Sequence, residues 1–233
     1  MFFDPTYWLF LGPCLLLGFW ASSRVKSTFA QYAQVGVSSG MSGAQAAAAV
    51  ARAGGAVVTI ERVGGFLSDH YDPRTKTLRL SPEVYDGRSV SAIAVGAHEA
   101  GHAIQDAKGY PWLGMRSALV PAVQFGSRFW ILPILIGLFM QATPLGGLLM
   151  FVGIGLLSVT VLFQLVTLPV EFDASNRAKL VLAEAGIART DAERHGVDRV
   201  LGAAAMTYVA GAITAVATLM YYASLLLGSQ RDG

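Results

Sequence analysis

Charged residues are distributed along this chain in blocks, and the gaps between the blocks set its architecture. Pro5 to Ser23, Phe129 to Val170 and Val200 to Gln230 contain no Asp, Glu, Lys or Arg, and Leu, Val, Ile, Ala and aromatic residues dominate them. A helix that crosses a hydrocarbon core needs about 20 apolar residues. The first and third stretches each supply one such helix. The middle stretch supplies two, broken at Gln141-Ala142-Thr143-Pro144-Leu145-Gly146-Gly147, where Thr, Pro and Gly favour a tight turn. The pattern therefore predicts four spans, at residues 5–22, 128–142, 146–168 and 203–227. Phe129 and Trp130 flank the second as interface anchors.

The charged segments carry local folding signals. Ser42-Gly43-Ala44-Gln45 is a capping box, and the Ala-rich run after it predicts a helix to Ala53, ended by Gly54-Gly55. Val57-Val58-Thr59-Ile60 predicts a strand. After Gly64-Gly65, the runs Phe66 to Tyr71 and Thr77 to Leu80 predict a hairpin around Asp72-Pro73-Arg74-Thr75. Ser89 to Lys108 predicts a helix with Ser89 as its N-cap and Gly109 as its stop. Glu171 to Ala185 predicts another, closed by Gly186. Thr190-Asp191-Ala192-Glu193 is a second capping box, opening a helix that continues toward the last apolar stretch.

Composition sharpens this picture. The chain is 54% hydrophobic and only 14% charged, against roughly 25% charged in soluble domains. Its formal charge of +2 gives no footprint for nucleic acid. Cys14 is the only cysteine, so neither an intramolecular disulfide nor a cysteine zinc site is available. The first apolar stretch lacks a preceding positive region and is followed by Arg24 and Lys26, the order expected of a retained anchor. All Lys and Arg except Arg231 fall between Arg24 and Arg128 or between Arg177 and Arg199. Positive charge stays in the cytoplasm, which predicts both charged segments inside and both termini outside a cell (plasma) membrane. The expected organisation is a transmembrane helix over 1–23, a cytoplasmic α+β segment over 24–127, a transmembrane hairpin over 128–168, a cytoplasmic helical segment over 169–200 and a transmembrane helix over 201–233.

The chemistry lies in the first charged segment. His98-Glu99-Ala100-Gly101-His102 is an HExxH motif inside the predicted helix. Histidines four apart share one helix face, where both imidazoles reach a single ion. The glutamate beside the first histidine can then act as base toward a zinc-activated water. A bare pair of hydrogen-bonded helix histidines is the plainer reading, and the correctly placed glutamate weighs against it. Catalytic zinc takes a third protein ligand, and the downstream candidates are Glu171, Asp173 and His195. Glu171 reads equally well as a carboxylate near a helix N-terminus. His70, His195 and Tyr208 are candidates to stabilise an oxyanion, although loop or interface positions suit them as well. Arg177 reads as an inside-facing membrane charge. A strand edge beside the motif helix could hold an extended peptide by main-chain hydrogen bonds, or the sheet could simply pack the helix.

The motif together with Glu171-Phe172-Asp173-Ala174-Ser175 resembles the gluzincin pattern, in particular the HtpX and CAAX prenyl protease group. That resemblance implies Glu171 as third zinc ligand and Glu99 as general base. It departs at Ser175, where the group has Asp, which leaves Ser175, Asp173 or Asn176 to support a ligand histidine. Ser68 to Pro73, Leu78-Arg79-Leu80-Ser81, the motif extended through Ala103-Ile104-Gln105, and Pro169 to Ala178 resemble the YugP-type bacterial membrane neutral zinc metallopeptidases over nearly the whole chain. The expectation is a mainly α membrane protein with four transmembrane helices and a small α+β zincin-like cytoplasmic domain. It would bind Zn²⁺ through His98, His102 and Glu171, use Glu99 as catalyst, and act on membrane proteins or peptides. The competing expectations are a non-catalytic membrane protein with a structural zinc, and a transporter. Uncharged spans disfavour the transporter, and the absence of a Gly-Lys-Ser/Thr nucleotide loop excludes an AAA-type protease.

Overall fold

The computed structural model describes residues 5–229. Arg231 and the outermost residues of the two terminal segments lie outside that range. The described chain is mostly helical. Its helices are α1 (Pro5–Ala33), α2 (Gly43–Ala53), α3 (Pro82–Tyr85), α4 (Val90–Ala107), α5 (Pro111–Phe129), α6 (Ile131–Phe139), α7 (Pro144–Glu184) and α8 (Asp191–Ser229). The strands are β1 (Thr59–Arg62), β2 (His70–Asp72) and β3 (Thr77–Leu80). The chain divides into two compact units. Among the described residues, one holds 5–20, 115–168 and 208–229, the other 21–114 and 169–207.

Four helical stretches among the described residues are long and apolar enough to cross a membrane: Pro5–Ala33, Pro111–Phe139, Pro144–Glu184 and Asp191–Gly228. Each runs past its apolar core. The second begins at Pro111 and is interrupted at Trp130, because Pro133 has no N–H to continue the helical ladder. The third continues through Pro169 to Glu184, so Glu171 stands on the same helix as the apolar stretch before it. In the first unit, large side chains such as Leu9, Leu16, Phe19, Phe139 and Phe151 are exposed, as on helices solvated by hydrocarbon. Thr143 accepts from the Gly146 N–H at 3.1 Å and Pro144 follows it, a local start signal for α7. Methyl groups built on Gly137 and Gly153 would lie 2.7 Å from the Gly146 carbonyl oxygen and 2.8 Å from that of Trp130. Small residues thus let α6 and α7 approach backbone to backbone. Ile134, Leu157, Tyr221 and Tyr222 fill the centre of this unit, with Tyr7 packed edge-on against Tyr221.

The second unit is built around α4. Ser89 caps it by accepting from the Ala92 N–H, and Gly109 (φ +61°) takes the left-handed conformation just after its end. The capping box of α2 forms as expected, with Ser42 and Gln45 each bonded to the other's backbone. At the start of α8, Thr190 and Glu193 do the same. The three strands form a sheet of order β1-β3-β2, with β1 parallel to β3 and β2 antiparallel to it. The expected hairpin is therefore present in shorter form: β2 keeps only His70 and Tyr71 of the expected Phe66–Tyr71 run and takes in Asp72 from the expected turn, while β1 sits slightly later than Val57–Ile60. Leu78 and Leu80 of β3 pack with Ile93, Ala97 and Ile104 of α4 in one fully buried core. Burying each Leu or Ile side chain contributes about 1.5–3 kcal/mol.

Two glycines of α4 set its distances to neighbouring helices. A methyl group on Gly96 would meet the Gly43 carbonyl oxygen of α2 at 2.5 Å, and one on Gly101 would meet the Ala174 carbonyl oxygen of α7 at 2.4 Å. Backbone cannot yield as a flexible side chain can. Gly101→Ala is therefore expected to lower the thermal stability of the detergent-solubilised protein by about 1–3 kcal/mol or more. At the helical position Gly202, where nothing lies within 4 Å, the same change is expected to stabilise by up to about 1 kcal/mol. Parallel melting curves check the opposite signs.

Candidate metal centre

Residues 98 and 102 stand one turn apart on α4, and residues 171 and 175 stand one turn apart on α7. The Gly101–Ala174 approach brings these two faces together. Nε2 of His98 lies 3.1 Å from Oε2 of Glu171, and Nε2 of His102 lies 3.5 Å from the same oxygen. The three side chains are buried, with exposures of 9% for His98, 7% for His102 and 2% for Glu171. Their nearest ligand atoms all fall within 4.8 Å of one another, close enough to share one ion.

Behind these three side chains are two further contacts. Ser175 Oγ lies 3.1 Å from His98 Nδ1, and Gln105 Oε1 lies 3.0 Å from His102 Nδ1. A carbonyl oxygen only accepts, so His102 carries its proton on Nδ1 and presents a lone pair at Nε2 when neutral. That lone pair faces a carboxylate oxygen. A cation between them resolves the conflict, and a borderline-soft divalent ion suits two imidazoles and one carboxylate. The residues present therefore fit a zinc ion.

Glu99 is also buried, at 8% exposure. Burial pushes its carboxyl up to about 7, His98 opposes that shift, and Glu171 and Asp69 reinforce it. Asp69 is held by Ser81, accepting from its backbone N–H at 2.7 Å and from its hydroxyl.

The remaining sequence candidates separate. Asp173 bonds Gln105 and Arg177 rather than joining the three clustered side chains. Asn176 is exposed on α7. His70 is exposed on β2, its Nδ1 2.8 Å from the Ser68 carbonyl oxygen, and His195 is exposed on α8. Tyr208 belongs to the first unit. Arg177 is an ion-pair partner of Asp173, at 2.5 Å. Gln105 is the residue that sequence reasoning left without a role. Its spacing of three from His102 was the available signal, since i and i+3 share a helix face.

A buried two-histidine, one-carboxylate centre in a chain with four membrane-length helices defines a class, a membrane-embedded protein with a metal site. The chain belongs to the family described as "Putative neutral zinc metallopeptidase", whose model matches residues 7–227. It is similar to the protein named "Putative membrane protease YugP" of Bacillus subtilis (strain 168), with 44% identity over 217 residues, covering 93% of this chain and 94% of the relative. No solved structure matches the chain. Zinc is accordingly the metal that this family and this donor set specify.

Proposed function

We propose that this chain is an integral membrane zinc metallopeptidase of gluzincin type, hydrolysing peptide bonds at the cytoplasmic surface of the cell membrane. The observation that carries the reading is the convergence of His98 and His102 on one oxygen of Glu171, with Glu99 buried next to the first histidine. His98, His102 and Glu171 would hold the zinc. The chemistry that zinc would supply there is Lewis-acid polarisation of the scissile carbonyl and acidification of the attacking water. Glu99 accepts a proton as the water oxygen bonds to the carbonyl carbon. It returns that proton to the amine nitrogen as the C–N bond breaks. Burial raises this carboxyl and so favours its taking up the proton. The α+β unit around α4 is read as a small zincin-like domain, and the edge strands β1 and β2 offer main-chain groups to an extended peptide.

The Lys and Arg distribution supports the cytoplasmic side, with Arg24, Lys26, Arg116, Arg128, Arg177, Lys179 and Arg199 near the apolar stretches. Glu171 follows an apolar stretch directly on one helix. Substrates are therefore taken to be membrane proteins or peptides cut close to the bilayer. One peptide, offered in proteoliposomes with and without a membrane anchor, tests this. The anchored form is expected to be cleaved with the higher kcat/KM, and cleavage confined to the soluble form would refute the substrate class.

A further inference from the structure

Gln105 is fully buried, and every polar atom of its side chain is bonded. Its Nε2 donates to the Val170 carbonyl oxygen at 2.7 Å and to Asp173 Oδ2 at 2.8 Å. The Asp173 carboxylate is held in turn by Arg177, with Nε and a terminal nitrogen 2.5 and 3.2 Å from its two oxygens. The Arg177 guanidinium lies over the Tyr110 ring, 5.6 Å from its centroid. Both amide protons of Gln105 are thus committed to acceptors. Flipping the amide would set its oxygen against a carbonyl and a carboxylate, so its orientation is fixed.

The consequence falls on His102. Oε1 of Gln105 is directed at Nδ1 and can only accept, which fixes the proton there. The other histidine has no comparable lock. Its neighbour Ser175 is a hydroxyl, able to rotate and to donate or accept.

We propose that Gln105, oriented by Val170, Asp173 and Arg177, is the positioning residue that holds His102 as its Nδ1–H tautomer and aims Nε2 at the zinc. The proposal rests on His102 being a ligand, and goes beyond that reading by assigning its support to a chain of residues from α4 to α7. Such contacts orient the ring and raise its basicity, and losing one typically weakens metal affinity about 10–100-fold.

The test uses the full chain in detergent, with zinc affinity measured by competition against a chelating indicator and the unfolding of the metal-free protein followed in parallel. Gln105→Met removes the acceptor and is expected to weaken zinc binding about 10–100-fold. Gln105→Glu keeps an acceptor for His102 but opposes a carboxylate to Asp173, and is expected to lose affinity as well. Adding Asp173→Asn to that variant returns a donor to face the new carboxylate, and part of the lost affinity is expected to return, the Val170 carbonyl oxygen still facing that carboxylate. Wild-type affinity in Gln105→Met overturns the proposal. So does a Gln105→Glu loss that Asp173→Asn does not relieve even in part, since a role in packing alone would behave that way. Zinc retained by His102→Ala would instead overturn the ligand assignment itself.

Discussion

Glu99→Gln is expected to leave zinc bound at wild-type stoichiometry while kcat/KM for peptide hydrolysis falls by about 10²–10⁴-fold. Three observations make this change clean. Glu99 is not among the three side chains that meet around the ion position, so the ligand set is intact. It is buried, and glutamine preserves its volume. Burial already pushes its carboxyl to about 7, so a neutral amide there adds little desolvation cost and the fold should survive. What glutamine cannot do is accept and return a proton. Zinc content and peptide hydrolysis measured on one preparation therefore separate chemistry from structure. If hydrolysis by Glu99→Gln matched the wild type, Glu99 would not be the base. If the zinc-loaded wild type hydrolysed nothing, the metal would be structural.

Glu171→Ala is expected to reduce zinc affinity by more than the roughly 10–100-fold that loss of a supporting contact costs. The carboxylate is the one anionic donor of the three. Without it two neutral imidazoles remain, and the Coulombic attraction for a divalent cation in a low-dielectric centre goes with it. Alanine also leaves a void in a tightly packed stretch of α7, where Val170, Ala174 and Ala178 are fully buried. Metal analysis after dialysis is expected to find about one zinc per chain in the wild type and well below that in the variant. Ser175→Ala, which removes only a hydroxyl beside His98, is expected to fall between the two.

Much of this was legible in the sequence, and the reason is locality. The capping boxes at Ser42–Gln45 and Thr190–Glu193, and the Ser89 cap, are hydrogen bonds between residues three apart, and all formed. The charge-free stretches announced membrane-length helices for the same reason, although Pro111 and Pro169 begin or sit inside longer helices than the apolar cores alone predict. The pairing of His98 and His102 is likewise local. The third member of the centre was not readable from spacing, because Glu171 and His98 are 73 positions apart and only resemblance joined them. Gln105 shows the same limit more sharply. Its bond to His102 is local, but the two bonds that give that contact meaning reach Val170 and Asp173, 65 and 68 positions away. Ser175 settles the departure from the Asp pattern, since it touches His98 while Asp173 serves Gln105.

The most direct test of the account is the zinc-edge X-ray absorption spectrum of the zinc-loaded full chain beside that of Glu171→Ala. In the wild type, two imidazole nitrogens and oxygen donors are expected around the zinc; in the variant, a carboxylate oxygen, or the bound zinc altogether, is expected to be lost. Identical spectra at equal zinc content, or a shell holding fewer than two imidazoles, would contradict it.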